Sequence, residues 1–296
     1  MGEAKRKRLG PCRCGTGKPA GSCCLSATGW HKKPIKLDLR KTGHSESHSA
    51  CYLRETNACC DRITGEHMIS ESVLRVLAQQ KIRVSGTPWL DKGETKVLTF
   101  GALTTNCLCR THNSALSNID AAGGRFFSAV QKCGTTDSGP NLTFLFSGHD
   151  IERWFLKTLL ALGTSKNFSI DGVRLNKLHP NMRPIELLED ASAWGPPLGM
   201  YATQSPGQMF TRSDSVGLAP LLITGSDDLV GLMADVQGVH LGLLAINHPI
   251  KGTGLDRSIF RPKNLFFKLG RLTHTIQMCW EDSREHIDIT FQWTDR

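Results

Sequence analysis

The sequence predicts an α+β protein of several domains, in which two small parts are held together by metal ions. Its 296 residues are 39% hydrophobic and 21% charged, which is ordinary for a folded protein. The eleven cysteines fall into close groups, and no apolar signal peptide precedes them. This pattern indicates metal binding in a reducing cytoplasm and not a secreted disulfide framework. No apolar run reaches the ~20 residues that span a bilayer, so no membrane partner is expected.

Composition and charge divide the chain into three predicted parts. Residues 1–41 are basic and contain the first cysteine group, residues 42–130 contain the second, and residues 140–296 form an α+β domain rich in short strands. Residues 1–41 hold 11 Lys/Arg against 2 Asp/Glu, whereas the rest of the chain holds 25 against 25. Such a basic segment either attracts polyanions through counterion release or is a solvated tail.

The first cysteine group has the spacing C-x-C-x₈-C-C and lies among glycines that permit tight turns. Four thiolates at this spacing suit one zinc ion, and the predicted ligands are Cys12, Cys14, Cys23 and Cys24. The opening, Pro11-Cys12-Arg13-Cys14-Gly15-Thr16-Gly17, resembles the SEC-C zinc motif. This resemblance implies a small knuckle that docks or stabilises and does not catalyse. Residues 25–50, rich in Gly, Ser and His, are typical of a linker.

The second group supplies two pairs of soft metal ligands about fifty residues apart. Zn²⁺ takes four Cys or His ligands in a tetrahedron, usually from two short knuckles. Two residues separate the ligands of the second pair, as in such a knuckle, and seven separate those of the first. The preferred ligands of this second structural zinc ion are Cys51, Cys59, Cys109 and His112. Cys60 and Cys107 lie within two residues of these ligands and are the alternatives.

An acid–histidine dipeptide lies between the two pairs, and an asparagine follows the last ligand. An unperturbed histidine has a pKa of about 6.5, so His67 could take a proton from water at neutral pH. The carboxylate of Glu66 and the amide oxygen of Asn113 are hard ligands that suit Mg²⁺ or Mn²⁺. Such an ion would stabilise charge on a phosphodiester during cleavage. The alternative is a zinc finger without catalytic activity, because a single Glu-His dipeptide occurs in many sequences by chance.

The two halves of this region form one longer pattern. It reads Cys59-x₆-Glu66-His67-Met-Ile-Ser and then Leu108-Cys109-x-x-His112-Asn113-x-x-Leu116-Ser117-x-x-Asp120. This pattern resembles the HNH endonuclease family and covers about a quarter of the chain. The resemblance implies a ββα-metal, treble-clef-like finger in which His67 activates water while Glu66 and Asn113 hold the catalytic ion.

Three features of the family's pattern are altered or displaced here. Glu66 stands where aspartate is commoner, and Asn113 stands in place of the final histidine. Asn106 is the candidate for the family's middle asparagine, although it lies unusually close to Cys109. The loop between the two halves is also long. The resemblance therefore implies the catalytic set His67, Glu66, Asn113 and Asn106, with structural zinc on the four cysteine and histidine ligands.

Local patterns predict the elements of this central region. A short helix follows its cap at Ser70 and covers residues 71–82, and a loop covers 83–95. Residues 97–104 are predicted to form the second strand of the finger, with a helix beginning near Arg110. The Gly123-Gly124 pair and the polar stretch 134–141 are predicted to separate the finger from the remainder.

The C-terminal half carries no catalytic signature, and its elements follow from apolar spacing. Residues 142–146 are predicted to form a strand. The capping-box-like spacing of Ser147-Gly-His-Asp150 predicts the start of a helix that ends near Gly163. Alternation from Ile287 to Trp293 predicts a last strand with one apolar face. The charged residues of the helix are expected in solvent, and they are Glu152, Arg153 and Lys157.

Together these patterns favour a metal-dependent endonuclease that acts on nucleic acid, with DNA favoured over RNA. One alternative is a non-catalytic zinc protein that binds nucleic acid, or binds a protein partner through its knuckle or its C-terminal domain. A second alternative is an RNA-directed nuclease or toxin, because the motif does not distinguish the two nucleic acids.

Overall fold

The computed structural model describes residues 8–41, 43–170, 173–175, 177–203, 209–210, 215–223 and 225–293. Most of the basic run from Lys5 to Arg8 lies outside these ranges. The described residues contain four α-helices: α1 Glu71–Leu77, α2 Arg110–Thr135, α3 Gly148–Thr164 and α4 Pro184–Glu189. None of these helices combines the length and apolarity needed to cross a lipid bilayer.

The strands in the same ranges are short and number nineteen. The first seven are β1 Leu25–Ser26, β2 Gly29–Trp30, β3 Ile63–His67, β4 Lys81–Ser85, β5 Thr95–Thr99, β6 Thr104–Cys109 and β7 Thr143–Ser147. The next six are β8 Phe168–Ile170, β9 Val173–Leu175, β10 Lys177–Leu178, β11 Gly199–Thr203, β12 Met209–Phe210 and β13 Val216–Leu222. The last six are β14 Asp228–Val236, β15 Val239–Leu244, β16 Ile259–Phe260, β17 Asn264–Leu269, β18 Leu272–Cys279 and β19 Ile289–Trp293.

Two larger sheets form the C-terminal half, and this confirms the predicted α+β class. Six strands make one sheet in the order β10-β14-β15-β11-β16, with β13 also paired to β14. Five strands make the other in the order β12-β19-β17-β18-β7. The remaining pairs are the separate ladders β1-β2, β3-β6, β4-β5 and β8-β9. Apolar side chains of the central region and both sheets belong to one continuous core.

The central region forms a β3-β6-α2 finger, but its second strand is not the predicted one. β6 pairs antiparallel with β3, with Cys109 opposite Ile63 and Thr104 opposite His67, and α2 begins at the next residue. The residues predicted for that strand overlap β5, which pairs with β4 instead. The helix predicted for residues 71–82 ends at Leu77 in the structure. The residues that follow form β4, whose side chains alternate between exposed and half-buried with the period of a strand.

Helix α2 continues through the Gly123-Gly124 pair, where a break was predicted. An added Cβ at Gly123 would lie 2.3 Å from Cδ1 of Trp154, and one at Gly124 would lie 2.6 Å from Cβ of Ser72. The glycines therefore allow α3 and α1 to approach α2 closely, which outweighs their poor helix propensity.

Helix α3 is the centre of the molecule and is buried from Gly148 to Gly163. Its bounds agree with the prediction, but the expectation that its charged residues are solvated is wrong. Glu152 receives Arg261 Nε at 2.8 Å and Nη2 at 3.1 Å, and Lys157 pairs with Glu66 of β3. A helix covered on every side can keep charged groups only where each one is paired.

The segment predicted as a linker, residues 25–50, instead packs against the centre of the fold. Leu37 and Leu39 are buried in the main core. Asp150 accepts the backbone N–H of Ile35 at 2.8 Å, and Arg153 donates to the Ile35 carbonyl oxygen at 2.7 Å. The buried charges of α3 thus hold the stretch at Ile35 in place, which the loop-like composition of residues 25–50 conceals.

Gly123→Ala should destabilise the protein by about 1–3 kcal/mol, because the new methyl group overpacks the contact with Trp154. Urea unfolding followed by tryptophan fluorescence would measure the change. Gly195→Ala is the matched control, since its Cβ meets nothing within 4 Å, and it should change stability by less than about 0.5 kcal/mol. Equal stabilities for the two variants would contradict the close approach of α2 and α3.

Candidate metal centres and the His67 site

Four buried side chains converge at the start of the finger, and they are the preferred set from the sequence. The ligating atoms of Cys51, Cys59, Cys109 and His112 all lie within 4.8 Å of one another. Two cysteines come from the loop before β3, Cys109 ends β6, and His112 lies in the first turn of α2. The ring atom Nδ1 of His112 lies 3.2 Å from Sγ of Cys109. These side chains could hold a metal ion.

The environment of His112 supports the use of Nδ1 as a metal ligand. Its other ring nitrogen, Nε2, lies 3.0 Å from the carbonyl oxygen of Leu39 and 3.1 Å from Oγ1 of Thr56. A carbonyl oxygen can only accept, so the proton is on Nε2 and the lone pair of Nδ1 faces the three sulfurs. The sequence analysis missed Leu39 because this residue lies in the segment read as a linker.

Cys60 and Cys107, the alternatives left open by the sequence, lie outside this cluster. Cys60 Sγ lies 3.6 Å from the Arg62 carbonyl oxygen. Cys107 is buried in β6 two residues before Cys109. Three thiolates with one imidazole are the donors of a structural zinc site, and a site closed by four protein ligands leaves no position for substrate.

The N-terminal knuckle forms the second candidate metal centre. The sulfurs of Cys12, Cys14, Cys23 and Cys24 lie within the same 4.8 Å limit. Gly15 and Gly17 have φ values of 71° and 75°, so the turn between the ligand pairs uses the left-handed region that glycine tolerates. The knuckle docks on the five-stranded sheet, where Leu145 donates its backbone N–H to the Arg13 carbonyl oxygen at 3.1 Å.

The dipeptide Glu66-His67 is split by the geometry of β3. Successive side chains of a strand point to opposite faces, so Glu66 is buried while His67 remains partly exposed, with 23% of its side chain accessible. Nε2 of His67 lies 3.9 Å from a carboxylate oxygen of Glu71 at the start of α1. Burial lowers the pKa of His67, although Glu71 opposes the shift, so the ring is neutral at pH 7.

Glu66 belongs to a buried charge cluster and not to an open site. Its carboxylate contacts the ammonium group of Lys157, which also lies 2.6 Å from Oδ1 of Asp120. Burial pushes the pKa of Lys157 down, but Asp120 and Glu66 outweigh this effect and raise it. Lys157 is therefore charged, and it neutralises the carboxylate predicted to bind a divalent ion.

The two asparagines do not join His67. Asn113 donates from Nδ2 to Oγ1 of Thr64 at 3.1 Å, and Asn106 is exposed on β6 beside an irregularity in the ladder. No hydrogen bond joins His67 to either asparagine among the residues that the structure describes. With Glu66 closed by Lys157, this arrangement does not support the predicted Mg²⁺ or Mn²⁺ ion.

A basic cavity of about 470 Å³ lies beside the first metal centre, and the sequence analysis did not single it out. Two arginines, Arg62 and Arg110, outnumber the one carboxylate, Asp61, and the rest of the wall is His44, Cys60 and the hydroxyl groups of Thr111 and Ser114 on α2. The signal was available, because Arg62 lies three residues after the ligand Cys59 and Arg110 directly follows the ligand Cys109. Guanidinium and hydroxyl donors on one wall suit a phosphate group.

No family model, curated protein or solved structure matches this chain. The functional conclusions below therefore depend on its own residues and their geometry.

The protein should contain two zinc ions per chain, as measured by elemental analysis after anaerobic purification. Cys59→Ser should remove one ion and loosen the finger, because metal binding supplies its folding free energy. Cys60→Ser is the matched control and should keep both ions, since Cys60 lies outside the ligand cluster. A zinc-free protein, or disulfides between the ligand cysteines, would show that these clusters are not metal centres.

Proposed function

We propose that this protein is an HNH-type endonuclease that hydrolyses the phosphodiesters of nucleic acid, with DNA favoured over RNA as the substrate. One observation carries the proposal. His67 lies at the end of β3 on a β3-β6-α2 finger whose four candidate zinc ligands converge at the opposite end of the same ladder. This is the topology that the sequence resemblance implies for such a nuclease.

His67 suits the role of general base. Its ring is accessible to water, and its lowered pKa keeps it neutral and able to accept a proton near pH 7. When it takes that proton, the carboxylate of Glu71 at 3.9 Å would stabilise the imidazolium that forms. No divalent ion at Glu66 enters this proposal, because Lys157 neutralises that carboxylate.

The basic cavity supports nucleic acid as the substrate class. Arg62 lies next to β3, whose far end carries His67. If one phosphate of a nucleic acid binds in the cavity, the nucleic-acid backbone can continue along β3 toward the His67 ring. The lysines of the N-terminal segment add positive charge, which favours any polyanion without reading its sequence. The two zinc ions are structural in this proposal.

The Lys157–Glu66 pair favours a second candidate, a zinc protein that binds nucleic acid without cutting it. A nuclease of the proposed type needs charge stabilisation at the scissile phosphate, and a neutralised Glu66 holds no metal ion to provide it. Both candidates share the basic cavity and the zinc centres. They differ only in whether His67 performs chemistry.

His67→Ala should lower cleavage by roughly 10²–10⁴-fold, the usual cost of losing a general base. Plasmid DNA, single-stranded DNA and RNA are tested with Mg²⁺, with Mn²⁺ and after EDTA treatment. Zinc content and nucleic-acid affinity should not change, because the side chain lies outside the metal cluster. His248→Ala, at a half-buried position in the C-terminal half, is the control and should cut like the parent protein.

Two results would reject His67 as the base. One is equal cleavage by His67→Ala and the parent, and the other is loss of zinc from the variant, which would make His67 a structural ligand. If the parent binds nucleic acid but cuts none of the substrates under any of these conditions, the binding protein becomes the better description.

Arg62→Ala combined with Arg110→Ala should weaken nucleic-acid binding and flatten its dependence on salt. For every phosphate that the double variant no longer neutralises, the slope of log K against log salt should fall by about 0.9 for duplex DNA. Fluorescence anisotropy at several salt concentrations would measure this slope. Arg271→Ala is the control, because this exposed arginine lies at the β17-β18 turn. An unchanged slope in the double variant would exclude the cavity as a phosphate site.

A further inference from the structure

Three elements that are distant in the sequence bring charged groups to one point behind His67, where Glu66 and Lys157 are buried and Asp120 keeps 21% of its side chain accessible. Glu66 comes from β3, Asp120 from α2 and Lys157 from α3. Nζ of Lys157 contacts Oε1 of Glu66 and lies 2.6 Å from Oδ1 of Asp120. A cation that bridges two carboxylates occupies the place that a divalent ion would take between the same oxygens.

The ammonium group cannot easily leave this point. The side chain of Lys157 is 2% exposed, and it belongs to a helix that is buried on every side. The neighbouring bonds hold the same arrangement, because Trp154 donates to Oγ of Ser70 at 2.8 Å and Ser70 donates to Asp120. Moving Lys157 aside would leave a buried ammonium without a partner, which is costly.

We propose that Lys157 is the resident cation of the Glu66–Asp120 carboxylate pair and excludes divalent metal ions from it. Glu66 and Asp120 then act as positioning residues that fix β3 and α2 around His67, and neither ligates an ion. A metal ion brought to these oxygens would face the ammonium charge at close range, and like charges repel strongly where water is excluded. The ammonium group thus takes the place of a metal ion as the counter-charge of these carboxylates, and with 2% of its side chain exposed it is not placed to contact a substrate.

Removing the ammonium group should uncover a metal site. Lys157→Met keeps the length of the side chain but leaves two carboxylates without a cation, and hard oxygen ligands of this kind suit Mn²⁺. Binding of Mn²⁺ to the zinc-loaded full chain is measured by electron paramagnetic resonance and calorimetry. Lys157→Met should bind one more ion per chain than the parent, and adding Glu66→Gln to it should abolish that extra ion.

The parent protein provides the second half of the test. The parent and Glu66→Gln should bind Mn²⁺ alike, because Lys157 already holds the carboxylate. Lys132→Met, at an exposed position on α2, is the matched control and should gain no ion. If Lys157→Met fails to fold, Lys157→Gln replaces it, since the amide keeps a hydrogen-bond donor while removing the charge.

Two outcomes would overturn the proposal. The parent could bind an ion that Glu66→Gln loses, which would mean that the carboxylate is open to metal. Alternatively, folded Lys157 variants could gain no ion, which would mean that Lys157 is not what excludes it. Because binding is measured without substrate, either failure is distinguishable from failure of the proposed nuclease function, on which the catalytic meaning of Lys157 rests.

Discussion

Helix α3 buries ionisable side chains on all its faces, and the fold depends on finding a partner for each of them. An unpaired charge in a protein interior costs several kcal/mol, so each one fixes the position of another segment. Glu152 fixes Arg261 before β17, Asp150 and Arg153 fix the extended segment at Ile35, and Lys157 fixes the finger through Glu66. The N-terminal segment, the finger and the C-terminal sheets therefore meet at one helix.

The same helix reaches the first metal centre through a short series of hydrogen bonds. Arg153 donates to the carbonyl oxygen of Glu189 at 3.0 Å, and the carboxylate of Glu189 accepts the backbone N–H of Leu39 at 2.7 Å. The carbonyl oxygen of Leu39 then lies 3.0 Å from Nε2 of His112. The residue that orients His112 is thus held in place by the centre of the fold, which would give a metal ion at this cluster a rigid outer shell.

Glu66 and His67 are neighbours in the sequence, but β3 places their side chains in different environments. Because neighbouring side chains of β3 point to opposite faces, one residue of the pair enters the charge cluster and the other reaches solvent. Packing of α3 on β3 then decides what the buried residue meets. Glu66 meets Lys157, so the part of the motif that reads as a metal ligand becomes a structural contact, while the histidine keeps an accessible ring.

The sequence by itself determined the two metal-ligand clusters, the start of α2, the bounds of α3 and the place of His67. Each of these depends on spacing within a short stretch, such as two residues between Cys109 and His112 or a capping residue before a helix. The tertiary structure alone decided the pairing of β3 with β6, the path of Leu39 beneath His112 and the partner of Glu66. Local periodicity reports how one face of an element differs from the other, whereas α3 is covered on every side. Its charged residues look solvent-exposed in the sequence, and only the segments packed around the helix bury them.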